Sequence, residues 1–457
     1  MHAESTHTIS EVAAAIRNQR TTSADVVERC LEAIDQRDGE INAFIQVLAD
    51  DARENARRAD HEISTGSDRG VLHGIPLSVK DLIDIEGLST TAASRVRTGH
   101  RASTDASVLR RLREAGAIFI GKCNLHEFAF GTTGEDSAFG ATRNPHAPGH
   151  VAGGSSSGSA ASVAAGMALG SVGTDTGGSI RIPAAACGVV GLKPTFGELS
   201  CDGVVPLGAS LDHVGPLAST VADAAIIFRV MAGQHVGVGQ NRRNSATSDR
   251  PNRPARLGLP RAYFLDLLDD DVRDAFDGAL ARLKGAGCQI EDVSIAEADL
   301  IAATYRTTVL YEAFRIHEQT LNDRPDDYSP GVRDRLEMGR DVSTTMYDQA
   351  QHDRGRLSQS VDTALGGVDA LVLPTLPIPA PVLGTNAVEI GGSTQDVRQL
   401  TLRLTQLFDL TGHPAISLPC GTTGSGLPCG AQLVGHLGET SELLALAARY
   451  EQVIDPG

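Results

Sequence analysis

The stretch VAGGSSSGSA, residues 151–160, sets three glycines and four serines into ten positions near the middle of a 457-residue chain. Such a run is a flexible linker, a phosphate cradle or a catalytic turn, and each belongs to a different architecture. As a linker it fails on context, because patterned apolar sequence continues beyond it without a break. As a phosphate cradle it lacks both the GK[ST] ending of a P-loop and the GxGxxG spacing of a dinucleotide fold. Gly154-Ser155-Ser156-Ser157-Gly158 does match a G-x-S-x-G nucleophile elbow. That elbow needs a strand immediately before it, and the preceding RNPHAPGHVAG holds two prolines and no β-branched run. His213, His413 and His436 follow it, so the match stays open as a weak alternative.

A second small-residue turn lies just downstream in GTDTGGSIRIP, residues 173–183. Thr176, Gly177 and Gly178 leave backbone N–H groups free to converge on one point, as an oxyanion hole requires, with Ser179 at its edge. For an isolated TGGS, a tight turn between buried elements is the simpler reading. Lysine usage raises the functional one. The chain has 40 basic residues, but its lysines are only Lys80, Lys122, Lys193 and Lys284. Arginine keeps its proton in a protein, whereas a desolvated lysine can lose it. A serine nucleophile needs a nearby base, and neither Gly/Ser segment offers a histidine. Lys80, in the apolar run VLHGIPLSVKDLID, is the candidate.

Around these motifs the chain reads as α/β. The first 65 residues read as helices, with capping-box patterns at Thr8/Glu11 and Thr22/Asp25. VLHGIPLSVKDLID reads as a buried strand, and STDASVLRRLREAGAIFIGKCN as a helix, a glycine stop at Gly116 and a short strand. ASVAAGMALG reads as a close-packing helix of small residues. The polar stretch 236–256 reads as a surface loop or a boundary, residues 297–365 as mostly helical, and DALVLPTLPIPAP as a strand running into a Pro-rich loop. The expected organisation is an N-terminal helical segment (1–65), a core (66–235) and the remainder of the same α/β domain (236–457).

Composition narrows the class. The net charge of −17 repels phosphate backbones and argues against a nucleic-acid partner. No apolar run is long enough for a membrane span, and the N-terminus lacks a basic-then-apolar leader pattern. The seven cysteines form no CxxC pair, and the histidines show no HExxH spacing. These features point to a reduced, cytoplasmic protein with neither metal nor cofactor.

Residues 70–200 resemble the amidase signature family. The resemblance runs through GIPLSVKDLID, GKCNLHEFAFGTTGEDSAFGATRNPH, GGSSSGSAASVAAG and GTDTGGSIRIPAAACGVVGLKPT. A fainter match continues through VLPTLPIPAP and TGHPAISLPCG to GLPCGAQLVG. It implies a central mixed, twisted sheet covered by helices on both sides. It also implies a Ser–cis-Ser–Lys triad: Ser179 as nucleophile, Ser155 as the bridging serine after a cis peptide bond, and Lys80 as base. Thr176, Gly177 and Gly178 would form the oxyanion hole, with Gly154 shaping the bend. Asp175 and Arg181 flank the turn, either supporting its shape or forming a solvated ion pair. Ser157 stands where a glycine is usual, Cys123 where threonine is common and Asp409 where asparagine is common. Cys123 reads as a buried spacer and His126 as a packed surface histidine.

The resemblance implies hydrolysis of a small or medium, largely apolar amide, with anilides, aryl esters and carbamates as further options. A pocket would draw on Ala129 and Phe130, the helical region 297–365 and the 376–390 loop. The partner expected is a small-molecule substrate, with a homodimer as one option. Two other readings stand beside this one: the glutamine-hydrolysing component of a tRNA-dependent amidotransferase, and a catalytically silent scaffold.

Overall fold

The computed structural model describes residues 8–239 and 253–456. Residues 1–7, part of the stretch read for a leader, and most of the polar stretch 236–256 lie outside the described residues.

Both capping boxes form: Thr8 with Glu11 opens α1 (Ile9–Arg17), and Thr22 with Asp25 opens α2 (Ser23–Ile41). The N-terminal region is not purely helical. A short strand, β1 (Phe44–Val47), comes before α3 (Ala49–Ser64) and pairs antiparallel to a later strand. Four residues carry too little periodicity to announce a strand, and the pairing partner supplies what local propensity does not.

The expected buried strand is β2 (Pro76–Lys80), shorter than the apolar run that holds it. It is followed by α4 (Ser107–Glu114) and β3 (Ile118–Cys123). The small-residue helix begins inside the serine run, as α5 (Ser157–Ala164), and ends four residues into the expected helix ASVAAGMALG, whose remainder turns into the next strand. Then come β4 (Gly170–Asp175), α6 (Arg181–Cys187), β5 (Val190–Lys193), β6 (His213–Ala218) and α7 (Val221–Met231).

The second half contributes β7 (Arg256–Pro260), α8 (Asp270–Gly285) and β8 (Gln289–Val293). The helical stretch follows as α9 (Ile301–Asp323), α10 (Pro330–Arg340) and α11 (Thr344–Leu365), leading to β9 (Ala370–Pro374). A hairpin, β10 (Ala387–Ile390) with β11 (Ser393–Asp396), precedes α12 (Val397–Arg403) and α13 (Gln406–Leu410). The chain closes through β12 (Ala415–Thr422), β13 (Pro428–Val434) and α14 (Thr440–Ile454).

Eleven strands form one mixed sheet in the order β1-β3-β2-β4-β6-β5-β12-β13-β9-β7-β8. β2 runs parallel to β3 and β4, while β4–β6, β5–β6, β12–β5 and β12–β13 are antiparallel. Its central strands are buried on both faces, so helices must cover both. Alternation along β3 shows the two layers. Ile118 and Ile120 enter a core with Val27 and Leu31 of α2 and with Ala160 and Val163 of α5. Phe119 points the other way, into the core containing Leu109 of α4 and Phe228 of α7.

The sheet sets up the site. β2 ends in Lys80, and β4, its parallel neighbour, ends in Asp175 just before the TGGS turn. Gly173 of β4 makes room for α5: a Cβ there would lie 2.9 Å from Ser156 Oγ. No helix among the described residues is long and apolar enough to cross a membrane.

Candidate active site

Lys80 is fully buried, and its Nζ lies 2.8 Å from Ser155 Oγ, 2.9 Å from Ser156 Oγ and 2.7 Å from Thr174 Oγ1. All three partners are hydroxyls. Burial pushes the lysine down from its usual value to about 7, against the pull of Asp175 and Asp212 farther off. A neutral amine suits this nest well, because it donates to two hydroxyls and accepts from the third.

Two other lysines are equally buried, so rarity and burial do not single out Lys80. Lys122 pairs with Asp81 at 2.9 Å. Lys193 lies 3.1 Å from His213 Nε2 and donates to the Pro194 carbonyl, and burial pushes it too down to about 7. Partner chemistry separates the three, since Lys80 alone contacts serine hydroxyls.

The Gly154–Ser155 peptide bond is cis. Gly153 sits at φ 75°, where a Cβ would come within 2.9 Å of Pro183 Cα, so glycine is required for the serine run to lie against α6. No strand precedes the run, and the G-x-S-x-G elbow is therefore excluded. Its central serine, Ser156, donates to the Thr174 carbonyl and lies beside Lys80 rather than a histidine. Ser156 N–H also donates to Ser179 O at 3.1 Å, tying the serine run to the TGGS turn. No bond between the Ser155 and Ser179 hydroxyls forms among the described residues.

Asp175 builds the turn. Its carboxylate accepts from Gly178 N–H at 2.6 Å, from Ile180 N–H at 3.0 Å and from Arg181 N–H at 3.3 Å. The Gly178 N–H is therefore not available to an oxyanion, contrary to the expectation from sequence. Among the described residues the turn's uncommitted N–H groups belong to Thr176, Gly177 and Ser179. Thr176 is steadied through its hydroxyl, which donates to Asp212 at 2.7 Å. Ser179 is 6% exposed, while Lys80 and Ser155 are sealed, so of the three Ser179 is the one open to solvent.

Arg181 is not solvated. Its guanidinium reaches Asp175 at 3.1 Å, Asp409 at 2.6 Å, Gln432 Oε1 at 3.2 Å and the Thr405 carbonyl at 3.1 Å, with every partner buried. Burial opposes the Asp175 charge, but Arg181 overrides it and holds this carboxyl below its usual range. Asp409 is pushed the other way, well above its usual value, by burial and by the neighbouring Asp175 charge. A neutral carboxyl is a near-isostere of the asparagine common there.

The remaining departures have local explanations. Ser157 heads α5 and its hydroxyl donates to Thr142 Oγ1 at 3.2 Å. Burial raises the Cys123 thiol to about 11, in keeping with a spacer. His126 is buried rather than at the surface. It accepts from Gly134 N–H, contacts Arg335, and is pushed down to about 4 by burial. Its backbone N–H holds the Ser155 carbonyl at 3.1 Å.

The roof of the turn was foreseen only in part: Tyr305 lies in the helical region 297–365 expected to contribute to a pocket, while Leu402 and Thr405 were not singled out. Tyr305 of α9 and Leu402 of α12 lie over Gly177: a Cβ there would strike Tyr305 Oη and come within 2.9 Å of Leu402 Cδ2. Thr405 donates to the Gly177 carbonyl at 2.6 Å. Neither segment carries a local motif that would single out Tyr305, Leu402 or Thr405 individually. Thr132, Thr133 and Gly134 back onto Gly154; in the segment just before them, which holds the expected pocket residues Ala129 and Phe130, Phe128 and Ala129 have positive φ, 50° and 59°. Such backbone in non-glycine residues is over-determined by its surroundings.

Comparison with known proteins agrees with this architecture. A family model described as Amidase matches residues 25–444. The A subunit of the glutamyl-tRNA(Gln) amidotransferase of Koribacter versatilis is 35% identical, with 98% of each chain covered. A crystal structure of an amidase superposes with a TM-score of 0.90 at 38% identity, covering 97% of this chain and 98% of that one. The Thermotoga maritima glutamyl-tRNA(Gln) amidotransferase A subunit superposes with a TM-score of 0.75 at 31% identity, covering 94% of this chain and 91% of that one.

Proposed function

This chain belongs to the amidase signature family, and we propose that it hydrolyses the C–N bond of an amide by acyl transfer through Ser179. The observation that carries this reading is the contact of a buried Lys80 with Ser155, with no carboxylate partner among the described residues, beside a turn with uncommitted N–H groups.

Neutral Lys80 takes a proton from Ser155, and Ser155 takes one from Ser179. The Ser155–Ser179 link closes by side-chain rotation once substrate is seated, since catalytic hydrogen bonds tighten in the complex. Ser179 Oγ attacks the carbonyl carbon. The N–H groups of Thr176, Gly177 and Ser179 receive the oxyanion, each donor contributing about 3 kcal/mol. As the tetrahedral intermediate collapses, the proton returns through the relay to the leaving amine. Water then enters by the same relay and releases the acid from the acyl-enzyme.

Two finer readings share this chemistry. The curated relatives are amidotransferase subunits, which favours a glutamine-hydrolysing component that works with protein partners. The better superposition on an amidase than on the Thermotoga amidotransferase chain favours a free-standing amidase.

Incubating the purified chain with a fluorophosphonate probe and a panel of aliphatic amide, anilide, aryl ester, carbamate and glutamine separates them, with Ser179→Ala as control. Labelling and turnover of a non-glutamine amide by the chain alone supports the free-standing enzyme. Weak cleavage confined to glutamine supports the amidotransferase component. Absence of labelling in the wild type overturns the serine reading.

A further inference from the structure

Lys193 and His213 are buried side chains that the acyl-transfer steps leave unused, and they touch, with Lys193 Nζ 3.1 Å from His213 Nε2. They stand on neighbouring antiparallel strands, Lys193 at the end of β5 and His213 at the start of β6. Lys193 also donates to the Pro194 carbonyl at 3.0 Å.

These contacts fix which ring nitrogen of His213 carries the proton. Nδ1 faces oxygens: the Leu211 carbonyl at 2.6 Å, the Asp175 carbonyl at 3.2 Å and, farther off, Asp409 Oδ1 at 3.6 Å. Nε2 faces an amine that donates. The proton therefore sits on Nδ1, shared between two carbonyls, and burial together with the Lys193 charge keeps the ring neutral. Phe196 meets the ring edge-on, with 5.3 Å between ring centres, and limits its rotation.

The Asp175 carbonyl belongs to the peptide that leads into the TGGS turn. Asp175 and His213 stand opposite each other across the β4–β6 ladder, so the imidazole reaches that carbonyl from the neighbouring strand. A trans peptide is planar, and its C=O and N–H point in opposite directions. Holding the Asp175 oxygen therefore sets the direction of the Thr176 N–H, one of the turn's uncommitted donors. Asp212, the residue before His213, holds the Thr176 hydroxyl at 2.7 Å. Two consecutive residues thus grip the same peptide link, one at its carbonyl and one at the next side chain.

We propose that His213 is a positioning residue for the acyl transfer: kept in its Nδ1–H form by Lys193, it pins the Asp175 carbonyl and so aims the Thr176 N–H at the oxyanion. This rests on the reading of Ser179 as the nucleophile and of the TGGS turn as its oxyanion hole. It also gives Lys193 a task distinct from that of Lys80, which is to supply a proton donor to Nε2 rather than to take a proton from a serine.

The test compares His213→Leu, His213→Gln and His213→Asn with the wild type, on the best substrate of the amide panel. Asparagine carries its amide nitrogen where Nδ1 was, whereas glutamine carries it one carbon farther out, toward Lys193. The leucine and glutamine variants should lose about tenfold or more in kcat with KM changed by less than about twofold, because a donor is misaimed in the transition state only. Fluorophosphonate labelling should slow in parallel, since the phosphonyl oxygen occupies the same donors. His213→Asn should recover most of both rates. The pH midpoint of kcat/KM, which Lys80 sets, should stay in place in all three. Equal rates in the asparagine and glutamine variants, a loss borne by KM, or a shifted midpoint overturns the proposal.

Nitrogen-15 NMR of histidine-labelled wild type supplies a second measurement that needs no folded variant. The His213 ring should be neutral with its proton on Nδ1. A proton on Nε2, or on both nitrogens, overturns the positioning role while leaving the nucleophile in place. Absence of fluorophosphonate labelling in the wild type overturns the nucleophile itself, and this proposal with it.

Discussion

Asp175 and Asp409 hold the same guanidinium, that of Arg181, at 3.1 Å and 2.6 Å, in a site sealed from solvent. One cation cannot balance two ionised carboxylates in so poor a dielectric, and the two acids divide accordingly. Asp175, held below its usual range, favours the ionised form and organises the turn, while Asp409, raised by burial and by the Asp175 charge, is pushed toward its neutral form.

Asp409→Asn should therefore fold and function as the wild type does. A carboxyl whose value is raised by folding contributes stability below its unfolded value, near 3.9, and loses it as the pH climbs toward its folded value. At pH 7 the asparagine variant should thus equal or exceed the wild type in thermal stability, by calorimetry. A large loss would mean that Asp409 is ionised.

Asp175→Asn should behave oppositely. It leaves Arg181 without its ionised partner and strips the Gly178, Ile180 and Arg181 N–H groups of a charged acceptor. Breaking one side of a buried pair costs about 3–5 kcal/mol. Asp175 is depressed on folding, so its contribution is present above the unfolded carboxylate value and fades as the pH falls below it. Urea denaturation at pH 7 and at pH 3 should show the gap between variant and wild type narrowing in acid.

In the proposed mechanism Lys80 works only when neutral. With its value near 7, kcat/KM should rise with pH through about 7 and then level off. Lys80→Met should lower kcat/KM by about a thousandfold or more without unfolding the chain. Since folding lowers this lysine, the wild type carries a stability penalty that is full below pH 7 and disappears above the unfolded value near 10.4. The methionine variant's advantage in Tm should shrink over that window.

Lys122→Met makes the contrasting case. It strands Asp81 in the interior, where the pair is about 1% exposed, and should cost about 3–5 kcal/mol in urea denaturation. Similar loss of stability for Lys80→Met and Lys122→Met would contradict the distinction drawn between their partners.

Gly177→Ala should fold yet resist the fluorophosphonate probe, because its methyl group would strike Tyr305 Oη and crowd Leu402 above the oxyanion turn. Labelling at the wild-type rate would place the reactive carbonyl elsewhere.

What could be read from the chain alone was what is written locally. Thr8 and Thr22 announce their helices because a capping box spans three residues. The serine run and the TGGS turn announce a tight bend with exposed N–H groups because small residues at those positions serve backbone geometry and N–H exposure, both local properties. Family membership, helix starts and motif residues all belong to this class. Burial and partnership are not local. The pairing of β1 with β3, the bond from Arg181 to Asp409 across 228 residues, and the choice of Lys80 over Lys122 and Lys193 all depend on which distant segment packs alongside. The commitment of the Gly178 N–H to Asp175 spans only three residues and depends instead on the fold of the turn itself. Which sequestered amines and guanidinium groups meet a counter-charge, and which, like Lys80, do not, emerged with the packed fold, because electrostatic environment is a property of contacts in space.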